Sequence, residues 1–140
     1  MRILILLFIL TLFACSEKLE GPKVRYYENG KLEAEAFFVN GKLEGEVKEY
    51  RWSGELFCIT NYVKDKKEGE QKWYYENGQL SSVRNYVKNK KEGEWKRYYE
   101  NGQLKAVENY VKGYLEGEYK RYNENGQLKD SFKYKHDIRQ

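Results

Sequence analysis

The chain has 140 residues, of which 34% are charged and 40% are hydrophobic, and its formal net charge is +4. This apolar content leaves little material for one compact core, yet 14 tyrosines, 3 tryptophans and 6 phenylalanines argue against a disordered chain. Lysine and glutamate alternate along most of the sequence, so no basic block predicts nucleic-acid binding.

A short hydrophobic segment opens the chain. The residues from Ile3 to Leu10 are apolar and follow a positively charged start at Arg2. This run is too short for a comfortable membrane span, which needs roughly 20 apolar residues. With the small Ala14 at its end, the segment predicts a secretory signal peptide over residues 1–14.

The end of this segment, Leu12-Phe13-Ala14-Cys15, resembles the lipobox of bacterial lipoproteins. In that family the cysteine is diacylated and becomes the new N-terminus. The resemblance implies lipidation of Cys15, attachment to a membrane of the cell envelope, and a lipidated tether over residues 15–20. Ser16 rather than Asp follows the cysteine, which resembles outer-membrane sorting in a two-membrane cell. An ordinary cleaved signal with an incidental cysteine is the alternative.

One repeated pattern fills the remainder of the chain. The stretch from Gly93 to Leu104 recurs from Gly69 and again from Gly117, with more divergent copies from Gly45 and Gly21. This fixed 24-residue period indicates a repeat architecture, in which each unit buries its surface on its neighbours. The predicted domain is residues 21–140, divided into 21–44, 45–68, 69–92, 93–116 and 117–140.

Each unit contains two predicted strands, which residues 94–99 and 103–111 illustrate in the fourth. Asn101-Gly102 between them predicts a two-residue type I′ turn, because both residue types tolerate positive φ. The turn to the next unit is predicted at Lys112-Gly113, with Asn40-Gly41, Asp65-Lys66 and Asn89-Lys90 as its counterparts in the first three units. The sequence therefore predicts an all-β fold: an elongated single-layer antiparallel meander of five hairpin repeats.

These turns predict the register and hence the two faces of the sheet. The first predicted turn places Tyr99 opposite Leu104, and the second places Ala106 opposite Tyr119. Opposed residues point the same way, so one face, called the first face, is predicted to carry Trp95, Arg97, Tyr99, Leu104, Ala106, Glu108, Tyr110 and Tyr119. The second face is predicted to carry Glu94, Lys96, Tyr98, Lys105, Val107, Asn109 and Val111.

Apolar and aromatic residues, and also glycines, recur in rows along the repeats. Leucines 32, 56, 80, 104 and 128 and aromatic residues 38, 62, 86, 110 and 134 are predicted on the first face, and tyrosines 26, 50, 74, 98 and 122 on the second. The glycine row at 21, 45, 69, 93 and 117 falls inside a strand, where glycine marks a close approach or a bulge. We interpret it as room for an aromatic ring, with a β-bulge as the alternative.

The repeated Gly-Glu-x-Lys-x-Tyr-Tyr-Glu-Asn-Gly-Gln-Leu, with the link from Gly41 to Gly45, resembles the bacterial variant of the MORN repeat. The resemblance covers the predicted domain. It implies an elongated, twisted antiparallel sheet that acts as a scaffold or binding surface. Members of this variant are often regarded as antitoxins, which implies a second function: an antitoxin or immunity protein that masks a toxin.

No pattern in the sequence predicts catalysis, a metal site or a cofactor. His136 is interpreted as a solvated loop residue and Cys58 as a small buried filler. The glutamate pairs 68 with 70 and 92 with 94 recur in successive units, so they predict a solvated row of charge, not a catalytic dyad. The chain is therefore predicted not to be an enzyme.

The predicted function is that of a cell-envelope lipoprotein that presents its sheet for contact with a protein partner. Tyrosine, tryptophan and arginine are favoured at such interfaces. The candidate interaction surface comprises Trp73, Tyr75, Trp95, Arg97, Tyr99 and Tyr119. Envelope glycan binding is a further alternative, because aromatic rings also stack on sugars. Pro22 at one end and Lys135 at the other blunt the edges of the sheet, which favours a monomer.

Overall fold

The computed structural model describes residues 18–140, so the predicted signal peptide and Cys15 lie outside the described residues. The described chain is all-β, with no helix long and apolar enough to span a membrane. Its fourteen strands are β1 (Gly21–Tyr26), β2 (Leu32–Val39), β3 (Lys42–Leu43), β4 (Gly45–Tyr50), β5 (Leu56–Val63), β6 (Lys66–Tyr74), β7 (Leu80–Val87), β8 (Lys90–Lys91), β9 (Gly93–Tyr98), β10 (Leu104–Val111), β11 (Tyr114–Leu115), β12 (Gly117–Tyr122), β13 (Leu128–Lys135) and β14 (Ile138–Arg139).

These strands form a single antiparallel sheet that follows the order of the chain. The main path runs β1-β2-β4-β5-β6-β7-β9-β10-β12-β13-β14, and the two-residue strands β3, β8 and β11 extend the hairpins of β2, β7 and β10. The all-β, single-layer meander predicted from the repeats is thereby confirmed. Residues Leu19 and Glu20 already join the array, since their carbonyl and carboxylate accept the N–H groups of Gly41 and Asn40.

The Asn-Gly turn has a different geometry from the predicted one. Gly102 N–H donates to the Tyr99 carbonyl at 2.9 Å, and Tyr99 N–H donates to the Gln103 carbonyl at 2.8 Å. Only the glycine has positive φ, +82°. This is a three-residue loop with a glycine in the left-handed region, not a type I′ turn. The asparagine serves through its side chain, because Asn101 Oδ1 accepts the Gln103 N–H at 2.9 Å.

The second turn is of the predicted two-residue kind. Lys112 and Gly113 both have positive φ, 52° and 99°, as a type I′ turn requires. In the second and third units, however, the turns lie one residue earlier than predicted. Positive φ falls at Lys64-Asp65 and Lys88-Asn89, not at Asp65-Lys66 and Asn89-Lys90.

The glycine row marks bulges, so the ring-packing interpretation is wrong and its alternative is correct. Gly93 has φ +69°, and a Cβ added to it would meet no heavy atom within 4 Å. Downstream, β10 pairs Tyr110 with Leu115 as predicted, but Ala106 then faces Arg121, two residues beyond the predicted Tyr119. The chain gains these two residues at Glu116-Gly117, where β11 ends and β12 begins.

A second irregularity follows each three-residue loop and changes two predicted positions. Leu104 pairs with Tyr98 instead of Tyr99, so the leucine row shares the second face with the tyrosine row. The extra residue, Lys105, turns to the first face, where its Nζ lies 5.1 Å from the centroid of the Tyr99 ring. Arg97 opposite Ala106 and Trp95 opposite Glu108 are as predicted.

Successive units are joined by hydrogen bonds that repeat with the sequence. Tyr27, Tyr75 and Tyr99 each donate a hydroxyl hydrogen bond, of 2.6, 2.6 and 2.8 Å, to a main-chain carbonyl of the following unit. In the second unit an arginine occupies this position, and Arg51 Nη2 donates to the Tyr74 carbonyl at 2.7 Å. The side chain changes but the link between neighbouring repeats is kept.

Glutamates join the units at the opposite edge of the sheet. The Glu92 carboxylate accepts the N–H of Lys112 at 2.9 Å, and Glu68 accepts that of Lys88 in the same way. These residues therefore hold turns in place, contrary to the predicted solvated row of charge. Their neighbours do match that prediction, since Glu94 forms an exposed ion pair with Lys96.

The buried residues are small or polar and lie along the middle of the first face. They are Cys58, Thr60, Gln71, Ser82, Ala106 and Tyr110. Cys58 is fully buried, which confirms its interpretation as a filler. Its burial raises the pKa of the thiol, so the thiolate is disfavoured.

Candidate binding surface

The first face of the middle repeats brings aromatic rings and cations together in one strip. Trp73 stands on β6, Arg84 on β7, Trp95 and Arg97 on β9, and Tyr119 on β12. We call these five residues the aromatic–cationic strip. Their common face follows from the register, because Trp73 opposes Ser82, Trp95 opposes Glu108, and Arg97 opposes both Ser82 and Ala106.

Arg84 joins the two tryptophans. Its guanidinium carbon lies 5.4 Å from the ring centroid of Trp73 and 5.3 Å from that of Trp95. Both distances are within the range of cation–π attraction. Trp73 also contacts Phe57 in a T-shaped arrangement, at 4.8 Å between ring centroids. The planar guanidinium therefore bridges aromatic groups from two repeats.

Trp95 is the best-packed member of the strip. Its ring centroid lies 4.6 Å from that of Tyr110 and 5.5 Å from that of Tyr86. Its indole N–H donates to the Asn85 carbonyl at 3.1 Å, and Lys91 Nζ lies 4.6 Å from its ring centroid. These contacts hold the ring in one orientation while leaving it partly accessible.

Arg97 is the exposed cation of the strip, and a polar network orients it. Its Nη2 donates to Glu108 Oε1 at 2.7 Å and to Tyr119 Oη at 3.1 Å. Glu108 accepts a second hydrogen bond, of 2.8 Å, from the hydroxyl of Tyr110. Burial, together with this carboxylate, raises the pKa of Tyr110, so the hydroxyl stays protonated and continues to donate.

The structure brings four of the six predicted surface residues into the strip: Trp73, Trp95, Arg97 and Tyr119. The other two, Tyr75 and Tyr99, use their hydroxyls to join neighbouring repeats. Burial raises the pKa of Tyr75, which keeps this donor protonated. Their hydroxyls therefore have a structural role that the sequence pattern did not reveal.

Arg84 and Lys91 were absent from the predicted surface. A departure from the repeat could have revealed Arg84, because the equivalent positions of the second and fourth units hold Thr60 and Glu108. A position with the same structural role in every unit would keep a similar residue, whereas this position changes from neutral to positive to negative. Lys91 is harder to find, since the equivalent Lys67 lies over the ring of Tyr86 just as Lys91 lies over the ring of Tyr110.

Side chains that ligate metals do not cluster in the described part of the chain. Within residues 18–140 no three His, Cys, Asp or Glu side chains come together as metal ligands would. His136 occupies an exposed turn, with φ 50° and its ring centroid 5.5 Å from that of Tyr114. The strip itself offers aromatic rings and an oriented charge for contact.

Comparison with known proteins gives one family match. The model described as a MORN repeat variant matches residues 19–40, 67–88, 91–112 and 115–136. The interval between residues 40 and 67 is long enough for one more repeat, and β4 and β5 form a hairpin there. Their loop matches that of the fourth unit, since Gly54 N–H donates to the Arg51 carbonyl at 2.8 Å.

The other two comparisons add little. No curated protein matches significantly. A solved structure described as the crystal structure of a GtfA/B complex bound to UDP and GlcNAc is similar at 17% identity and a TM-score of 0.30, over 76% of this chain and 21% of that chain.

Proposed function

Because the chain belongs to the MORN repeat variant family, we propose that it is a non-enzymatic binding scaffold of the cell envelope, anchored through a lipid on Cys15. Its aromatic–cationic strip binds a protein partner. The observation that carries the proposal is the strip itself, in which Arg84 joins Trp73 and Trp95 and the exposed Arg97 is oriented by Glu108.

The chemistry of the strip suits a protein partner. Tryptophan, tyrosine and arginine are enriched among the few residues that supply most of the binding energy at protein interfaces. The rings of Trp95 and Tyr119 are half-buried and held by neighbours, so little conformational freedom remains to be lost on binding. Arg97 stays exposed beside them and can pair with a partner carboxylate.

Site-specific photocrosslinking in the native host tests the binding face. A photoreactive residue replaces Arg84 on the first face in one variant and Lys96 on the second face in the other. We expect a discrete protein adduct from position 84 and none from position 96. The comparison isolates the face, because the two positions lie on neighbouring strands, β7 and β9, but on opposite faces of the sheet. Adducts from position 96 alone, or identical adducts from both positions, would refute the assignment of the face.

The anchor is tested separately. In the wild-type chain we expect globomycin-sensitive processing and recovery in the membrane fraction. The Cys15→Ser variant should lose both, since serine cannot carry the thioether-linked lipid. A wild-type chain that remains soluble and unprocessed inside the cell would rule out the lipoprotein assignment. It would also make a neighbouring toxin the first partner to examine.

A further inference from the structure

A cationic hollow lies on the first face between the fourth and fifth repeats. Its volume is about 240 Å³, and Ala106 lies at its floor. Four positively charged side chains and three tyrosines line it, namely Arg97, Lys105, Arg121, Lys129, Tyr99, Tyr119 and Tyr122. No carboxylate is among the residues that line it.

The repeat brings these cations together in two pairs. Arg97 and Arg121 occupy equivalent positions of the fourth and fifth units, and so do Lys105 and Lys129. The lysines stand at the extra residue that follows each three-residue loop, and this extra residue turns Lys105 to the first face. Two repeats with cations at both positions therefore produce a four-cation cluster wherever they are adjacent.

Only the last two repeats have this composition. One repeat earlier, the same positions hold Trp73 and Ser81, and two repeats earlier they hold Glu49 and Phe57. Packing of one repeat on the next does not require the cations, because the sheet continues through those repeats without them. The cluster is a local departure from the repeat, as a ligand site would be.

The charge in the hollow is only partly neutralised. Arg97 pairs with Glu108 at 2.7 Å, and Arg121 pairs with Asp130. Among residues 18–140, Lys105 and Lys129 have no carboxylate within salt-bridge distance. Four cations minus two carboxylates leave a local charge of +2 facing the hollow.

Hydrogen-bond donors remain available as well. Tyr119 Oη accepts from Arg97, so its own proton is free to donate. Arg121 directs Nε and Nη2 at Asp130, which leaves Nη1 unused by that pair. Each lysine adds three donors. Guanidinium and ammonium groups together with a hydroxyl are the donors that recognise a tetrahedral oxyanion.

We propose that this hollow is a binding site for a phosphate group carried on a small ligand, held by Lys105, Lys129, Arg97 and Arg121 with Tyr119 as a neutral donor. The hollow has room for a phosphate and part of the group that bears it. The site shares Arg97 and Tyr119 with the aromatic–cationic strip but goes beyond the proposed partner binding and does not depend on it, because the two unpaired cations, Lys105 and Lys129, lie outside the strip.

Calorimetric titration of the full chain tests the site, at constant ionic strength and in a phosphate-free buffer. The probes are inorganic phosphate, glucose 6-phosphate and glycerol 3-phosphate. The double variant Lys105→Gln/Lys129→Gln removes both unpaired cations but keeps the length of the side chains. The control Lys88→Gln/Lys90→Gln removes the same charge from exposed positions at the turn between β7 and β8, outside the hollow.

We expect saturable binding of at least one probe by the wild-type chain, weakened about tenfold or more in the first variant and less than about twofold in the control. Lys105→Arg/Lys129→Arg should retain binding, because arginine keeps the charge. Tighter binding of glucose 6-phosphate would indicate a glycan source for the ligand, and tighter binding of glycerol 3-phosphate a lipid headgroup. Absence of saturation with all three probes, or equal losses in the two Gln variants, would overturn the proposal.

Discussion

The glycine row provides the sharpest test of how the repeats join. Gly93 has φ +69°, and an added Cβ would have no heavy atom within 4 Å. Replacement by alanine therefore meets open space, and its cost comes from the backbone alone. An L-residue in the left-handed region costs about 1–2 kcal/mol, which is the destabilisation expected for Gly93→Ala. Asparagine visits this region more readily, so Gly93→Asn should cost about half as much.

Urea unfolding followed by tyrosine and tryptophan fluorescence measures both variants. The urea midpoint should fall more for alanine than for asparagine, and the slope of the unfolding free energy against urea concentration should stay the same. Glu94→Ala, one residue further in ordinary extended backbone, serves as the control and should change stability by less than about 0.5 kcal/mol. If the larger asparagine destabilised the fold more than alanine, crowding by a neighbouring ring would be the cause and the bulge explanation would be refuted.

Three further predictions follow from the links between repeats and from the buried thiol. Tyr99→Phe removes a hydroxyl donor to the next repeat and should lower the free energy of unfolding, measured by urea denaturation, by about 1 kcal/mol. Tyr26 is exposed and makes no such bond in the described chain, so the control Tyr26→Phe should leave that free energy unchanged. Glu92→Gln weakens a carboxylate acceptor of a turn N–H and should lower the thermal midpoint, whereas Glu94→Gln should not, because Glu94 makes only an exposed ion pair. Burial raises the pKa of Cys58 in the folded chain, so its contribution to stability is complete below the ordinary thiol pKa of about 8.5 and is lost as pH rises through the folded value. Stability should therefore fall less steeply above pH ~8.5 in Cys58→Ser than in the wild type, and equal slopes would contradict this assignment.

The hairpins and their order could be predicted because the 24-residue period carries them. Every unit contains an Asn-Gly, Ser-Gly or equivalent loop at the same place, and local loops between adjacent strands leave a meander as the simplest path. The geometry of the loops could not be predicted in the same way. Asn101 is compatible with a type I′ turn, but its side chain accepts the Gln103 N–H and stabilises a three-residue loop instead.

The bulges explain the remaining errors in register. A turn sets the pairing only until the next irregularity, and Gly117 shifts the partner of Ala106 by two residues to Arg121. A shift of two preserves the face, so Tyr119 still belongs to the first face although its predicted partner was wrong. The single extra residue at Lys105 does change face, which is why the cationic hollow could not be derived from alternation alone.

The binding surface was predicted in composition but not in arrangement. Tryptophan and arginine in the middle repeats point to contact, and the structure places Trp73, Trp95 and Arg97 on one face. Sequence spacing does not show that Arg84 stands between the two indoles, because this depends on pairing between strands of different repeats. It also does not distinguish a ring that binds from a tyrosine whose hydroxyl joins two repeats.

Hydroxyl-radical footprinting of the chain, alone and with its crosslinked partner, tests the central claim most directly. Trp95 lies in the strip, whereas Trp52 is exposed on a turn, with its ring centroid 5.2 Å from that of Tyr27. We predict that the partner protects Trp73, Trp95 and Tyr119 from oxidation and leaves Trp52 unchanged. Protection of Trp52 or of Tyr98 on the second face, with Trp95 oxidised as in the free chain, would contradict binding through the aromatic–cationic strip.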